Sequence, residues 1–444
     1  MRGVFLWGLC VLGAWSCSSD TTTSPDASID SPSPSDAAKD TTTPDTGVDT
    51  GVSDAGDASS GDAGVVYNDI GDPSKWTVFS LGPNVSFAAN ELTGATFDGK
   101  YVYFAPATYG IVVRYDTTAS FTTSGSWTLF DLGPVDNAAK GMAGAVFDGK
   151  FVYVVPANNS RTIRYDTTAP FTSVGSWAKY NFSVVSTETT FGGVYDGRYV
   201  YVVPKNASTV IRHDTQGAGF TNAGSWSAYA VGALVDAGAP GFATGGFDGK
   251  YVYAVPQNGQ APIVVRYDST STFTQAGSWT SFDVSAVSAQ ARDFEGAVFD
   301  GRYMYFVPYK DQSNGYGGKA VRYDTTKPFA QTASWESFDT AQVNANAVGF
   351  NGGQFDGRYV YFAPFGSGNG WGGTTIRFDT QGTFTNTSSW KAFDMTVLDA
   401  QAHAMKGVVY DGRYLYYVPW LSGIVTRFDT KTPPSLPKPT ASFF

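Results

Sequence analysis

Cysteine and histidine are almost absent from this chain of 444 residues, which contains two of each. Cys10 lies in an apolar N-terminal run and Cys17 directly follows it, so no disulfide can form in the remaining sequence. A domain of several hundred residues can bury enough apolar surface without disulfides. Two histidines, His213 and His403, without a cysteine cluster are too few ligands for a zinc site of the usual kinds. The sequence also contains no Asp-x-Asp-x-Asp-Gly calcium loop. We therefore expect no metal and no cofactor.

Basic charge is also scarce, with 29 Lys and Arg against 39 Asp and Glu and a net charge of −10. Residues 18–66 contain ten Asp, one Lys and no aromatic residue, a net charge of −9. Such a segment has too little apolar surface to offset ordering entropy, which predicts a disordered tether. Removing this −9 and the charge of Arg2 leaves −2 for the rest, which argues against nucleic acid as a partner.

The N-terminus has the features of an export signal. One Arg2 precedes an apolar run from Val4 to Trp15, which is shorter than the roughly 20 residues that span a bilayer. The position of Cys17 resembles the lipid-modified cysteine of bacterial lipoproteins. Ala14 stands where that pattern usually has Leu, and Ala14 with Ser16 also suits ordinary signal peptidase. We expect an exported protein, either anchored by lipid at Cys17 in the outer membrane or cell surface, or secreted.

Three markers recur seven times in the same order through the rest of the chain. The first is a tryptophan that opens a β-rich run: Trp76, Trp127, Trp177, Trp226, Trp279, Trp335 and Trp390. The second is an aromatic-Asp-Gly sequence before a Tyr-rich run, with Asp98, Asp148, Asp196, Asp248, Asp300, Asp356 and Asp411. The third is an arginine before an aromatic residue (once His213) and Asp: Arg114, Arg164, Arg212, Arg266, Arg322, Arg377 and Arg427. A period close to 50 residues indicates a repeat architecture.

Each repeat predicts four β-strands. Asp-Gly between two β-rich runs is typical of a tight hairpin, for which we expect a type I′ turn. Four strands in each of seven units predict an all-β fold, a seven-bladed β-propeller with four antiparallel strands per blade. Trp76 has no earlier strands of its own unit, and the last unit stops at Asp429, so the N-terminal strand should close the last blade. The predicted domains are an export signal (1–16), the tether (17–68), the propeller (69–431) and a C-terminal tail (432–444).

The repeats resemble seven-bladed β-propeller repeat proteins, and their period is similar to that of kelch repeats. Glycine pairs add to the kelch resemblance, at Gly192–Gly193, Gly245–Gly246 and Gly352–Gly353. The tryptophan lies farther from the Tyr-rich strand than in kelch repeats, and WD signatures are absent. The resemblance therefore implies a propeller fold, but it assigns no functional residue of a known subfamily to a position in this sequence.

Markers present in all seven units predict structural roles. We expect the tryptophans to pack within or between blades and the arginines to pair with nearby aspartates of their own unit, because a buried Arg needs a partner. The alternative is seven equivalent sugar sites between blades, built from Arg, Trp and Tyr.

The positions that differ between repeats lie in two kinds of connection: from strand four of one unit to strand one of the next, and from strand two to strand three. We expect both kinds of connection to lie on the same face of the propeller. Before or beside the first glycine of strand one stand Asn90, Lys140, Glu188, Arg292, His403, Thr93, Ala143, Glu295, Asn351 and Lys406. Loops of the last three units contribute Tyr309, Tyr316, Phe365, Trp371 and Trp420, beside Lys310, Asp311, Asn314 and Asn369. Flat rings with polar neighbours suit sugars or peptides, although these rings could simply hold long loops in place.

The sequence thus predicts a binding module that recognises a glycan or peptide through this face, without catalysis. The alternative is an exported polysaccharide hydrolase or lyase, whose acids and base would come from Glu91, Glu188, Asp293, Glu295 and His403. A purely structural surface protein is a third possibility. Gly368, Gly370 and Gly373 match a dinucleotide-binding spacing, but no helix follows them, so we expect no nucleotide.

Overall fold

The computed structural model describes residues 64–435 except 158–159, 187–189, 206–207, 240, 258–260 and 369. The predicted signal, the lipidation site Cys17, most of the tether, Glu188 and Asn369 lie outside the described residues. Seven four-stranded antiparallel sheets follow one another along the described chain, which confirms the predicted seven-bladed β-propeller.

The first strand of each blade lies innermost, because these strands contact one another in an unbroken ring that returns from the seventh blade to the first. These strands are Leu92–Phe97, Met142–Phe147, Thr190–Tyr195, Phe242–Phe247, Asp293–Phe299, Phe350–Phe355 and Met405–Tyr410. Glycines permit the close approach, since a Cβ on Gly94 would lie 3.0 Å from the Cα of Gly144 in the next blade. The ring surrounds a narrow central channel.

The other three strands lie progressively farther from the channel. The second strands are Tyr101–Pro106, Phe151–Pro156, Tyr199–Pro204, Tyr251–Pro256, Tyr303–Lys310, Tyr359–Pro364 and Tyr414–Pro419. The third strands are Ile111–Asp116, Arg161–Asp166, Thr209–Asp214, Ile263–Asp268, Lys319–Asp324, Thr374–Asp379 and Ile424–Asp429. The outermost strands are Trp127–Asp131, Trp177–Asn181, Trp226–Ala230, Trp279–Asp283, Trp335–Asp339, Trp390–Asp394 and Trp76–Ser80. Each side chain repeated at a marker position thus occupies the same layer in every blade.

Helices are confined to single turns in the described part of the chain. A 3₁₀ turn precedes every outermost strand, at Pro73–Lys75, Ser124–Ser126, Val174–Ser176, Ala223–Ser225, Ala276–Ser278, Thr332–Ser334 and Thr387–Ser389. Further turns lead towards the innermost strands, at Leu81–Asn84, Phe87–Ala89, Phe182–Val184, Val231–Leu234, Val284–Ala286, Thr340–Gln342 and Met395–Val397. Among the described residues, no helix has the length and apolar character needed to cross a membrane.

The Asp-Gly turn joins strands one and two of each blade. The N–H of Asp98 donates to the carbonyl of Tyr101, so Gly99 and Lys100 are the central residues of the turn. Only Gly99 has a positive φ, of 102°, whereas a type I′ turn needs positive φ at both central residues. The predicted type I′ turn is therefore wrong, and glycine at the first central position follows the type II′ pattern.

The turn aspartate explains why this sequence recurs. One carboxylate oxygen of Asp98 accepts the N–H groups of Lys100 and Tyr101, and the other accepts the Tyr103 hydroxyl at 2.7 Å. The tyrosine hydroxyl reaches the turn aspartate in all seven blades, at 2.6–2.8 Å. Each aspartate thus holds the turn against the start of the second strand.

The seven tryptophans are buried between blades, as predicted. Each ring stacks on an aromatic residue of the preceding blade's outermost strand, with centroids 4.5–5.4 Å apart and planes within 2–16°. Each indole N–H also donates to a carbonyl six residues earlier, such as that of Phe121 for Trp127. The polar edge is satisfied while the ring is buried, which is what a buried Trp requires.

The seven arginines do not pair with the repeated aspartates, so that prediction is wrong. Within the described residues, only Arg322 and Arg377 lie within 4 Å of a carboxylate, those of Glu336 and Asp69. All seven guanidinium groups instead lie 3.9–4.2 Å from an aromatic ring at the start of the second strand. Six of them also lie 4.1–4.6 Å from a phenylalanine of the next blade. Cation–π contacts between blades therefore replace the expected ion pairs.

The repeated aspartates at the ends of the third strands have another partner. Each lies 2.7–3.9 Å from the Lys or Arg that follows the turn glycine of its blade, as Asp116 does with Lys100. These contacts bring together the second and third strands on the face that carries the Asp-Gly turns.

The two ends of the domain close the ring together, as predicted. Trp76–Ser80 pairs antiparallel with Ile424–Asp429, with Trp76 opposite Phe428. A second pair of strands, Val66–Tyr67 with Lys431–Thr432, lies outside the predicted closure. The paired structure therefore extends past both predicted domain limits, because Val66 and Thr432 are hydrogen-bonded to each other's strand.

Candidate functional site

Two variable positions of each blade meet on one face of the propeller. One is the second residue of the innermost strand in most blades, such as Asn351 or Lys406. The other is the residue that follows the proline at the end of the second strand. The N–H of this second residue donates to the carbonyl of the residue directly before the innermost strand, at 2.8–3.2 Å in the five blades with Ala107, Ala157, Gln257, Phe365 and Trp420. The shared face predicted for the two sets of connections is therefore confirmed.

A cleft of about 610 Å³ opens on this face beside the central channel. The predicted residues that line it are Arg292, Asp293, Glu295, Tyr309, Lys310, Asp311, Asn314 and Lys406. Four further lining residues were not predicted: Phe191, Lys205, Gln257 and Gln312. Its volume lies in the range of about 300–1,000 Å³ that small-ligand sites occupy.

Glu295 lies at the base of the cleft, where it also lines the channel mouth. Only 5% of the residue is exposed. Its two carboxylate oxygens accept hydrogen bonds from the Gln257 and Asn351 side-chain amides of the two neighbouring blades. Burial raises the pKa of Glu295, whereas the nearby Lys406 opposes the increase. The innermost strands thus hold one carboxyl group in a fixed position at the centre of the face.

Lys406 approaches the same place from blade 7. Its ammonium group lies 4.9 Å from the Trp420 ring centroid and 5.3 Å from those of Phe191 and Phe365. Burial lowers the pKa of this lysine, Glu295 opposes the shift, and Lys205 adds to it. The ammonium group is therefore held against aromatic faces in a partly dry environment, where a charged partner is favoured.

The five predicted loop aromatics, which we name the aromatic cluster, form one continuous set of ring contacts. Their members are Tyr309, Tyr316, Phe365, Trp371 and Trp420. The rings of Trp371 and Trp420 meet at 5.2 Å and 83°, and both lie 5.4 Å from Phe365. Tyr309 lies 5.9 Å from Phe365 and 5.8 Å from Tyr316. The sequence identified the members, and the fold brings blades 5, 6 and 7 together to join them.

The aromatic cluster contains both buried and exposed rings. Phe365 is 4% exposed and forms its centre, whereas Trp371 is 46% exposed at its edge. Trp371 belongs to a small hairpin in which Gly366–Ser367 pairs with Gly370–Trp371. The buried rings therefore do pin the long loops, while Trp371 presents a free face to solvent.

Other predicted residues lie away from the cleft. Asn90 packs against the blade 7 loop, where a Cβ on Gly423 would meet its side chain. Glu91 and Lys140 are on blades 1 and 2 and do not line the cleft, and Lys140 is exposed. His403 precedes Ala404, whose backbone hydrogen-bonds to Gly372 and Trp420 beside the aromatic cluster. Thr93 donates its hydroxyl to the Met142 carbonyl in the next blade, and Ala143 lines the channel mouth.

Three of the four residues that were missed carried a signal in the sequence, and Gln312 is the exception. Lys205 and Gln257 each follow the proline of a second strand, as Tyr309 and Trp420 do. Phe191 is the blade 3 equivalent of Glu295, five residues before the turn aspartate. Treating both variable positions as complete rings of seven residues would have found all three.

The cleft combines lysines, one buried carboxyl group, amides and aromatic rings. Among the described residues, no cluster of histidine, cysteine and carboxylate side chains could hold a metal ion. The arrangement can bind a polar ligand through charge and hydrogen bonds, while the aromatic cluster contacts its apolar face.

Comparison with known proteins supports the architecture. No protein-family model matches the chain, and no curated protein matches it significantly. Among solved structures, virginiamycin B lyase from Staphylococcus aureus is 12% identical, with a TM-score of 0.56 over 80% of this chain and 99% of that chain. The β-propeller domain of Cps50 (Swd1) from Myceliophteria thermophila is 10% identical, with a TM-score of 0.52 over 77% of this chain and 96% of that chain. At such low identity these similarities show the fold alone: the chain is a β-propeller.

Proposed function

We propose that this propeller is a binding protein that recognises a glycan or peptide through the cleft and the aromatic cluster, without catalysis. The observation that carries the proposal is the meeting of a polar cleft with a partly exposed set of five rings on one face. Side chains that differ from blade to blade form both parts, whereas the repeated residues are used in packing and turns. Such a combination of flat rings and directed polar groups is typical of ligand sites.

A polysaccharide hydrolase or lyase is the second candidate, because Asp293 and Glu295 line the same cleft. The raised pKa of Glu295 would suit a general acid. Both of its oxygens already accept amide hydrogen bonds, however, which favours a role in positioning the neighbouring side chains.

The proposal includes export. The signal-like N-terminus would direct the chain out of the cytoplasm, and the acidic segment between Cys17 and Val66 would hold the propeller away from its attachment point. Cys17 would carry the lipid anchor in the outer membrane or at the cell surface, and without that lipid the protein would be secreted.

An array of glycans and peptides, run beside an activity screen on polysaccharides, tests this proposal. We expect saturable binding of one ligand class and no change in polysaccharide chain length or reducing ends. Release of new reducing ends or unsaturated sugars, abolished in Glu295→Gln, would favour the enzyme. The absence of binding to every glycan and peptide would contradict the proposal.

A further inference from the structure

Two lysines from different blades converge on one aromatic ring in the cleft. The ammonium group of Lys205 lies 4.4 Å from the Phe191 ring centroid, and that of Lys406 lies 5.3 Å from it. Lys205 follows the second strand of blade 3, and Lys406 lies in the innermost strand of blade 7. Their charges repel each other, and this repulsion contributes to the lowered pKa of Lys406.

These two lysines have no ion-pair partner in the part of the chain that the structure describes. All seven lysines and arginines that follow the turn glycines on the opposite face lie within 4 Å of an aspartate. Glu295 influences both lysines electrostatically but forms no ion pair with either, and its oxygens accept two amides. Two unpaired like charges on one partly dry ring are costly, and an anionic ligand would relieve that cost.

The surroundings of the lysines favour a saccharide over a peptide. Peptides commonly add a strand to an open sheet edge or lay a helix in an apolar groove. The cleft lies at the centre of the ring beside innermost strands, and its lining is largely polar, so it fits neither mode. Amide side chains, including Gln312 and Asn314, line the cleft and can bind hydroxyl groups, while Trp371 offers an exposed ring face.

We propose that the ligand is an acidic oligosaccharide, whose uronate carboxylate binds between Lys205 and Lys406 while a neighbouring sugar ring packs on Trp371. This inference rests on the proposed function and narrows its ligand class. The carboxylate supplies the ion-pair partner that Lys205 and Lys406 do not have among the described residues, and the chain of sugars extends along the cleft towards the aromatic cluster.

The test uses the full mature chain and titration calorimetry with oligomers of galacturonate, of mannuronate and guluronate, and of hyaluronan. Each is compared with a matched oligomer whose carboxyl groups have been reduced to alcohols. We expect at least one acidic oligomer to bind about ten-fold or more tightly than its reduced form, since charge-assisted hydrogen bonds are the stronger ones. Binding should weaken as salt increases.

Lys205→Gln and Lys406→Met each remove one charge, and the methionine keeps the stem packed on the rings. Each variant should lose about ten-fold or more in affinity for the acidic oligomer and little for the reduced one. Lys250→Gln, in a turn on the opposite face, is the control and should bind like the wild type. If Lys406→Met does not fold, as judged by its thermal midpoint, Lys205→Gln still decides the question.

Three results overturn this inference. Equal binding of acidic and reduced oligomers, with no effect of the lysine variants, would leave a neutral glycan site and thus the proposed function intact. Binding of a poly-glutamate peptide but of no uronate would replace the saccharide with an acidic peptide. Failure of every glycan and peptide to bind would reject the proposed function as well.

Discussion

The indole of Trp76 stacks on the ring of Phe393, with centroids 4.8 Å apart and planes at 15°. The first residue comes from the N-terminal strand of the domain and the second from the outermost strand of blade 6. The same stacking joins consecutive blades elsewhere in the ring, as Trp127 does with Phe79. The N-terminal strand therefore supplies the tryptophan stack between blades 6 and 7, and the ring closes through the same kind of aromatic contact that joins the other blades.

Trp76→Ala should lower the free energy of unfolding by about 3–5 kcal/mol, because it removes a buried indole from the closing strand. Deleting residues 69–81 should destabilise the domain still more, whereas deleting residues 18–63 should have little effect. Urea unfolding followed by tryptophan fluorescence measures all three. An unchanged midpoint for Trp76→Ala would show that the closing strand contributes little to stability.

Trp371→Ala and Trp420→Ala should weaken ligand binding by about 1–3 kcal/mol while the protein remains folded, because these rings lie at the surface of the aromatic cluster. Trp177→Ala is the matched control, since this ring is buried between blades and its loss should cost about 3–5 kcal/mol of stability. Calorimetric binding beside thermal unfolding separates the two effects. Wild-type affinity in both cluster variants would exclude the aromatic cluster as a binding surface.

Arg164→Met should lower stability by about 1–2 kcal/mol and leave ligand binding unchanged. Its guanidinium group lies between the rings of Phe151 and Phe220, at 3.9 and 4.6 Å, and methionine retains the packing without the charge. The contact with both rings gives the guanidinium group a structural role between blades. Loss of binding in folded Arg164→Met would instead support the seven sugar sites between blades.

Two aspartates should give opposite pH dependences of stability. Hydrogen bonds from Arg302 and Thr326 outweigh burial and lower the pKa of Asp324 to about 2. Its contribution is therefore present above the pKa of the unfolded chain and lost as pH falls towards 2. Asp324→Asn should cost about 2 kcal/mol at neutral pH and progressively less in acid.

Burial instead raises the pKa of Asp356, although the N–H groups of Tyr359 and Arg358 oppose the shift. Its contribution is present in acid and is lost as pH rises through the raised pKa. Relative to the wild type, Asp356→Asn should therefore become less destabilised as pH rises. Urea unfolding of both variants and the wild type from acid to neutral pH measures these trends. If the loss of unfolding free energy changed with pH in the same direction in both variants, the opposite pKa shifts of Asp324 and Asp356 would be contradicted.

Cys17→Ala should convert the protein from a detergent-partitioning form to a soluble one. A lipid chain at Cys17 is the only membrane attachment that the proposal includes, so its loss should release the whole domain. Detergent phase separation of the two mature forms measures the difference. Equal solubility of both forms would support secretion without a lipid.

Several structural roles could be predicted from repetition, but their contacts could not. The tryptophan at the start of each outermost strand was expected to be buried, and it is. The arginine was expected to pair with an aspartate, yet Arg114 lies between Tyr101 and Phe171. The second ring belongs to the next blade, so the contact depends on the angle between adjacent sheets, which sequence spacing does not specify.

The turn shows the same limit on a smaller scale. Asp98-Gly99 predicted a tight hairpin, and the hairpin forms. Its type depended on which residue occupies the first central position, and the Asp98 carboxylate holds Lys100 and Tyr101 so that the glycine takes that place. These two local hydrogen bonds therefore favour the type II′ turn over the type I′ turn, although both turns have similar sequence preferences.

The number of blades, the order of their strands and the closure by the N-terminal strand could all be predicted from the sequence, because they follow from local hydrophobic alternation and from the period of the repeats. The sequence also shows which positions differ between blades. Which of these variable residues meet depends on the packing of the blades around the channel. Glu295 joins Gln257 and Asn351 because a ring of seven innermost strands places neighbouring blades within hydrogen-bonding distance at the channel. Lys205 and Lys406, far apart in the chain, share Phe191 for the same reason, since blades converge most closely at the centre of the ring.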